Sequence, residues 1–202
     1  MNPEEAGRQA RAAAGGDAVG WKALVEGFSG LVWSVTRAYR LSSADSADVF
    51  QTTWLRLAEH VGRLEDPERV GAWLATTARH EALRIARSTA RLLPTNDVTI
   101  LDFGRTENSP EQAVLDSEQA ALDSELASRL WRALGELPKR CQQLLRVLIA
   151  TPPPSYTEVA AALDMPIGSI GPTRARCLKQ LRQIFVGREV SESASRAHNN
   201  EK

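Results

Sequence analysis

Between residues 73 and 87 one side of a helical wheel collects Trp73, Thr76, Arg79, His80, Arg84 and Arg87. Arginines dominate this neighbourhood, with Arg69, Arg79, Arg84, Arg87 and Arg91 set against the single acid Glu81. A second basic stretch holds Arg174, Arg176, Lys179, Arg182 and Arg188 and no acid. Between them lie Asp97, Asp102, Glu107, Glu111, Asp116, Glu118, Asp123 and Glu125, with Arg105 as the only base. This basic, acidic, basic order implies two anion-binding surfaces on either side of an acidic connector. The bland alternative, ordinary solvated helix faces, is not excluded by charge alone.

The chemistry on offer is binding rather than bond making. No glycine-rich phosphate loop, metal-ligand cluster or nucleophile with a partner base occurs, so no catalytic residue, metal site or cofactor is expected. Cys141 and Cys177 lack the spacing of a zinc site and read as two buried apolar thiols. The formal net charge is zero, from 25 basic and 25 acidic residues, so only the distribution of charge is informative. No apolar run reaches the roughly 18 residues that span a bilayer, and the N-terminus carries acids beside its arginines with no apolar block. A soluble, cytoplasmic protein without membrane insertion is expected.

Helices must carry these residues. Trp21, Leu24, Val25, Phe28, Leu31, Val32 and Val35 recur at the helical i, i+3, i+4, i+7 spacing. A second helix is expected after the cap-like LSSAD, with Phe50, Trp54, Leu57 and Val61 inward and Asp48, Gln51 and Thr52 facing elsewhere. A third opens after Pro67 and buries Val70, Leu74, Ala78 and Ile85, which turns the Trp73 to Arg87 set outward. Helical period then fails through LLPTNDVTILDFGRTENSPEQ and returns from about Glu111. With 202 residues, 43% of them hydrophobic, the chain is read as all-α, with two small helical domains. The expected layout is residues 15–92, an acidic linker at 93–119, residues 120–188 and a tail at 189–202.

The second domain ends on YTEVAAALDMPIGSIGPTRARCLKQL, laid out as a helix-turn-helix. Val159, Ala160 and Leu163 are expected inside the first helix, and Ile170, Cys177 and Leu181 inside the second. Ser169 is expected to cap that second helix, which places Gly171 and Pro172 in a first turn where a missing N–H costs little. Facing outward are Pro172, Thr173, Ala175, Arg176, Lys179 and Gln183. Arg174 falls near the packed arc, where its stem would snorkel along the domain.

Taken together, DSADVFQTTWLRLAEHVGRLEDPERVGAWLATTARHEALR and LGELPKRCQQLLRVLIATPPPSYTEVAAALDMPIGSIGPTRARCLKQLR resemble the two helical regions kept by the extracytoplasmic-function (ECF) group of the sigma-70 family. The resemblance implies a sigma region 2 bundle followed by a sigma region 4 helix-turn-helix. It also implies a non-enzymatic subunit that docks on core RNA polymerase and melts promoter DNA. Asp48 and Gln51 fall where the family contacts the beta-prime clamp helices, with Thr52 where an acid is usual. The beta subunit is the other implied polymerase contact, and an anti-sigma factor is a further partner that the family admits.

Arg63, Trp73, Thr76, Arg79, His80, Arg84 and Arg87 match the side that reads the −10 element, with Arg79 and His80 where a flipped base is held. Unstacked bases need planar partners and donors, and arginines hold phosphates. For Trp73, core packing remains an equal reading. Pro172, Thr173, Arg174, Arg176 and Lys179 match the −35 reading helix, and Asp164 replaces the usual turn glycine, which a left-handed aspartate allows. The acidic linker suits a path through the polymerase interior, with a solubilising tether as its alternative. A helix-turn-helix repressor is the rival reading, and it leaves the Asp48, Trp73 and His80 faces without a task.

Overall fold

The computed structural model describes the backbone of residues 1–92 and 117–199 and the side chains of residues 1–89 and 126–187. The acids of the expected connector, from Asp97 to Glu125, lie outside the described side chains. Among the described residues every regular element is helical: α1 (Pro3–Ala14), α2 (Ala18–Ala38), α3 (Ser43–His60), α4 (Val70–Leu92), α5 (Ser117–Glu136), α6 (Lys139–Leu148), α7 (Tyr156–Leu163) and α8 (Ile167–Asn199). Two short 3-10 turns, Val61–Arg63 and Pro67–Arg69, link α3 to α4. The all-α expectation is met.

The chain divides into two compact units, residues 1–103 with 143–170, and residues 104–142 with 171–202. In the first, α2, α3 and α4 close around Leu24, Val32, Val35, Val49, Leu57, Val70 and Leu74, all but removed from solvent. An aromatic ladder joins α2 to α3, with Trp33 stacked on Phe50 at 4.7 Å, and Phe50 and Trp21 each 6.1 Å from Trp54. The helix starts are written in the sequence: Asp17 accepts from the Val19 amide at 2.9 Å and Ser42 from that of Asp45 at 3.1 Å. Because Ser42 is the cap, α3 begins inside LSSAD rather than after it.

Helix α1 has no counterpart among the expected elements. Asn2 caps it, accepting from the Glu5 amide at 2.8 Å, and Pro3 opens it. It is alanine-rich, and its small residues carry the contact: Ala6 and Ala10 are buried, and a Cβ on Gly7 would come within 2.7 Å of Glu68 Cγ. A helix that packs through alanine and glycine carries little apolar signal, which is why periodicity misses it. It braces the turn that leads into α4.

Residues 143–170 complete the first unit. Leu144, Val147, Val159, Ala162, Leu163 and Ile170 join the same core as Leu24 and Leu74. Helix α7 starts with a full capping box, Ser155 accepting from the Glu158 amide and Glu158 accepting from that of Ser155 at 2.7 Å. It ends at Asp164, whose φ of 52° and ψ of 60° are the left-handed cap that aspartate tolerates. Ala162, rather than Ala160, is the fully buried small residue of this helix.

The start of α8 differs from the expectation. The helix begins at Ile167, so Ser169 is not its cap; the Ser169 amide and hydroxyl both bond back to the Pro166 carbonyl, at 3.0 and 2.7 Å. Pro172 therefore lies inside the helix, past the first turn. Its ring would meet the carbonyl of residue 168, and a glycine there and at 171 leaves the backbone unhindered by side chains.

In the second unit Gln142 Nε2 donates to the carbonyls of Gly135 at 2.8 Å and Leu137 at 2.6 Å, satisfying the end of α5. Arg129 lies over the Phe185 ring at 5.1 Å. Cys141 and Cys177 are buried as expected but are not thiols: they form a disulfide with Cα atoms 5.3 Å apart. Sequence spacing could not show this, because the pairing depends on how α6 crosses α8.

Candidate nucleic-acid interface

Four consecutive turns of α4 present the basic face. Val70, Leu74, Ala78 and Ala82 are buried on its inner side, and this register fixes where the remaining residues point. His80, Arg84 and Arg87 are exposed, while Trp73 and Thr76 are half-buried. Trp73 packs against the core and lies 6.1 Å, ring to ring, from His60. Arg63 is exposed in the 3-10 turn before α4.

Arg79 is the exception on this face. Its side chain is only 15% exposed; Nη1 pairs with Asp164 Oδ2 at 3.2 Å, and Nη2 lies 3.1 Å from His80 Nε2. Its Nε is buried without a hydrogen-bond partner. An arginine held this way is oriented by two neighbours and keeps one unmet donor.

Glu81 is the residue that the sequence reading left out. Its side chain is 6% exposed, and it accepts from Arg56 Nη2 of α3 and from Arg84 Nε, each at 2.8 Å. One carboxylate thus locks α3 to α4 and fixes the direction of Arg84. The available signal was its isolation, the single acid within a basic helix.

On α3, Asp48 and Gln51 are exposed and Thr52 is half-buried, on the side away from Val49, Thr53 and Leu57. In the second unit, Pro172, Arg174, Arg176 and Lys179 are exposed along α8 and Thr173 is half-buried. Arg174 thus stands clear of the arc where Cys177 packs. Among the described residues no group of His, Cys, Asp or Glu could hold a metal ion, and no helix is long and apolar enough to cross a membrane.

Residues 24–92, the stretch from α2 through α4, match the family model for Sigma-70 region 2. That match covers about a third of the chain, and over it the chain is similar to Sigma-70 region 2. No curated protein matches it in sequence. Its fold is that of the solved structure of CnrH in complex with the cytosolic domain of CnrY, with a TM-score of 0.58 and 21% identity over 91% of this chain and 98% of that one.

Proposed function

We propose that this chain is an alternative sigma factor of the ECF group that directs core RNA polymerase to its own set of promoters. The observation that carries the reading is the Sigma-70 region 2 match at residues 24–92, laid on the helices that present both the Asp48 face and the basic face of α4. Residues 15–92 serve as region 2 and residues 120–188 as region 4. Asp48, Gln51 and Thr52 dock on the beta-prime clamp helices. Arg63, Trp73, Thr76, Arg79, His80, Arg84 and Arg87 hold and select the melted −10 strand. Its phosphates meet the arginines, and its unstacked bases meet planar side chains and donors.

Pro172, Thr173, Arg174, Arg176 and Lys179 enter the −35 major groove, the first turns of the helix lying closest to the base edges. CnrH is described in a complex with the cytosolic domain of CnrY, and an anti-sigma factor is a further partner on this reading. The chain works in the cytoplasm, where core polymerase and promoter DNA are found.

The test is reconstitution with core polymerase followed by sequencing of the transcripts that start. The chain confers initiation at sites that core alone ignores, and Asp48→Arg, a charge reversal on an exposed helix face, abolishes both association and initiation while leaving the helical content intact. Tight binding of duplex DNA as a dimer with no polymerase association would replace this reading with a repressor.

A further inference from the structure

Cys141 and Cys177 are the chain's two cysteines, and they are bonded to each other across α6 and α8. A protein that works beside core polymerase sits among thiol pools that keep most cysteine pairs reduced, and the bonded pairs found there are mainly transient or redox-sensing ones. The second unit depends on this pair. Among its described residues the buried apolar side chains are Ala133, Leu134, Leu137, Cys141 and Cys177, whereas the first unit fills its core with the long aliphatic and aromatic side chains of α2, α3 and α4. A small unit with so little apolar burial relies on a covalent staple.

We propose that the Cys141–Cys177 bond is a reversible thiol switch, opened by a dithiol reductant, that sets how firmly α8 is held and hence whether the chain reads the −35 element. Cys177 is buried on the inward side of α8, while Arg174, Arg176 and Lys179 stand exposed on the same two turns of that helix. Loosening the inward side therefore loosens the residues that would enter the groove. The proposal rests on α8 being the −35 surface.

The two sulfurs are not equally open to attack. Cys141 is 7% exposed and Cys177 0%, so an incoming thiolate meets Cys141 Sγ first. It bonds to that sulfur, the S–S bond breaks, and its electron pair leaves on Cys177 Sγ, which takes a proton. The reductant's second thiolate then attacks the mixed disulfide and departs as a cyclic disulfide, leaving Cys141 as a thiol once its sulfur is protonated. Two electrons and two protons pass from the dithiol to the cysteine pair, and a disulfide oxidant of the same class reverses the exchange.

The reduced form has a partner waiting. Gln180 Oε1 lies 3.7 Å from Cys141 Sγ, about one turn beyond Cys177 on α8. A bonded sulfur has no hydrogen to donate, whereas a thiol does, so this acceptor serves the opened pair alone. It favours the reduced state and draws the bond toward reducibility.

The test uses the full chain, without denaturant, in dithiothreitol buffers of graded reduced-to-oxidised ratio. Maleimide labelling counts thiols, hydrogen exchange follows residues 171–187 with α2 as internal reference, and transcription by reconstituted polymerase from a library randomised over the −35 element reads promoter preference. Reduction yields two thiols, speeds exchange in α8 and lowers the preference on the order of tenfold, as expected when the ordered helix falls to about a tenth of the population. Association with core polymerase through the Asp48 face persists. Gln180→Leu moves the midpoint about threefold toward reducing ratios. Cys141→Ala combined with Cys177→Ala shows the reduced pattern at every ratio, and any redox response it retains belongs to the polymerase.

A bond that none of these buffers reduces in the folded chain is a fixed staple and overturns the switch. Reduction that leaves exchange in α8 unchanged does the same. So does a looser α8 with unaltered −35 preference in a chain where Arg176→Ala still relaxes it; that result leaves the −35 reading standing. If neither reduction nor Arg176→Ala combined with Lys179→Ala changes the preference, the −35 reading of α8 falls and the switch falls with it.

Discussion

Replacing Glu81 by glutamine removes the one carboxylate that ties α3 to α4 while keeping its shape. The structure sets the size of the effect. Glu81 accepts two charge-assisted bonds of 2.8 Å, each worth about 1.5–3 kcal/mol when well shielded. The partners are far less shielded than the acid: the Arg56 and Arg84 side chains are 50% and 65% exposed, so water takes up their charge once the pair is broken. Glutamine also retains one acceptor. The expected net loss is about 2 kcal/mol, below the roughly 3–5 kcal/mol of a fully buried broken pair.

In a chain of this size about 2 kcal/mol corresponds to a fall of roughly 4–8 °C in Tm, read by calorimetry. Denaturant unfolding of Glu81→Gln, Arg56→Gln and the double variant isolates the cross-helix bond, for which a coupling of about 1 kcal/mol is expected. Freed of its partner, Arg84 should bind single-stranded DNA more strongly even as the fold weakens. A loss under about 0.5 kcal/mol with no coupling would refute the assignment of Glu81 as the tie between the two helices.

Other expectations separate the remaining surfaces. Arg176→Ala, if that guanidinium reads a base edge, costs about 1–3 kcal/mol and relaxes preference at one −35 position, whereas Lys179→Ala weakens all sequences and lowers the salt slope; randomised promoter libraries transcribed with each variant distinguish the two. Arg40→Asn removes a left-handed arginine and one cation beside Arg146, so it should raise stability by about 0.5–1 kcal/mol in denaturant unfolding. No gain there would mean that neither the backbone conformation nor the like charge is costly.

Much of the framework of α2 to α4 could be read from residue spacing, because large apolar side chains mark a helix face. Leu24, Phe28, Leu31, Val32 and Val35 on α2, and Val70, Leu74 and Ala78 on α4, are buried as their period requires. What escaped depends on small residues or on partners distant in sequence. Helix α1 packs through alanine and glycine, the disulfide depends on the meeting of α6 and α8, and the register of α8 was misplaced because Ser169 resembles a cap while it bonds back to Pro166. Arg79 lies on α4 next to His80, yet its side chain is largely enclosed. Its enclosure by Asp164 comes from a residue 85 positions further along, and no local pattern carries that.

The bond between Cys141 and Cys177 has a mechanical consequence. It closes a covalent ring from residue 141 to residue 177, with its ends pinned 5.3 Å apart, and α7 with Asp164 lies wholly inside that ring. Both chain ends of α7 therefore return to the same bond, and the ring's contour limits how far any residue in it can lie from the two cysteines. Reduction of the bond would remove that limit without changing a residue of α7.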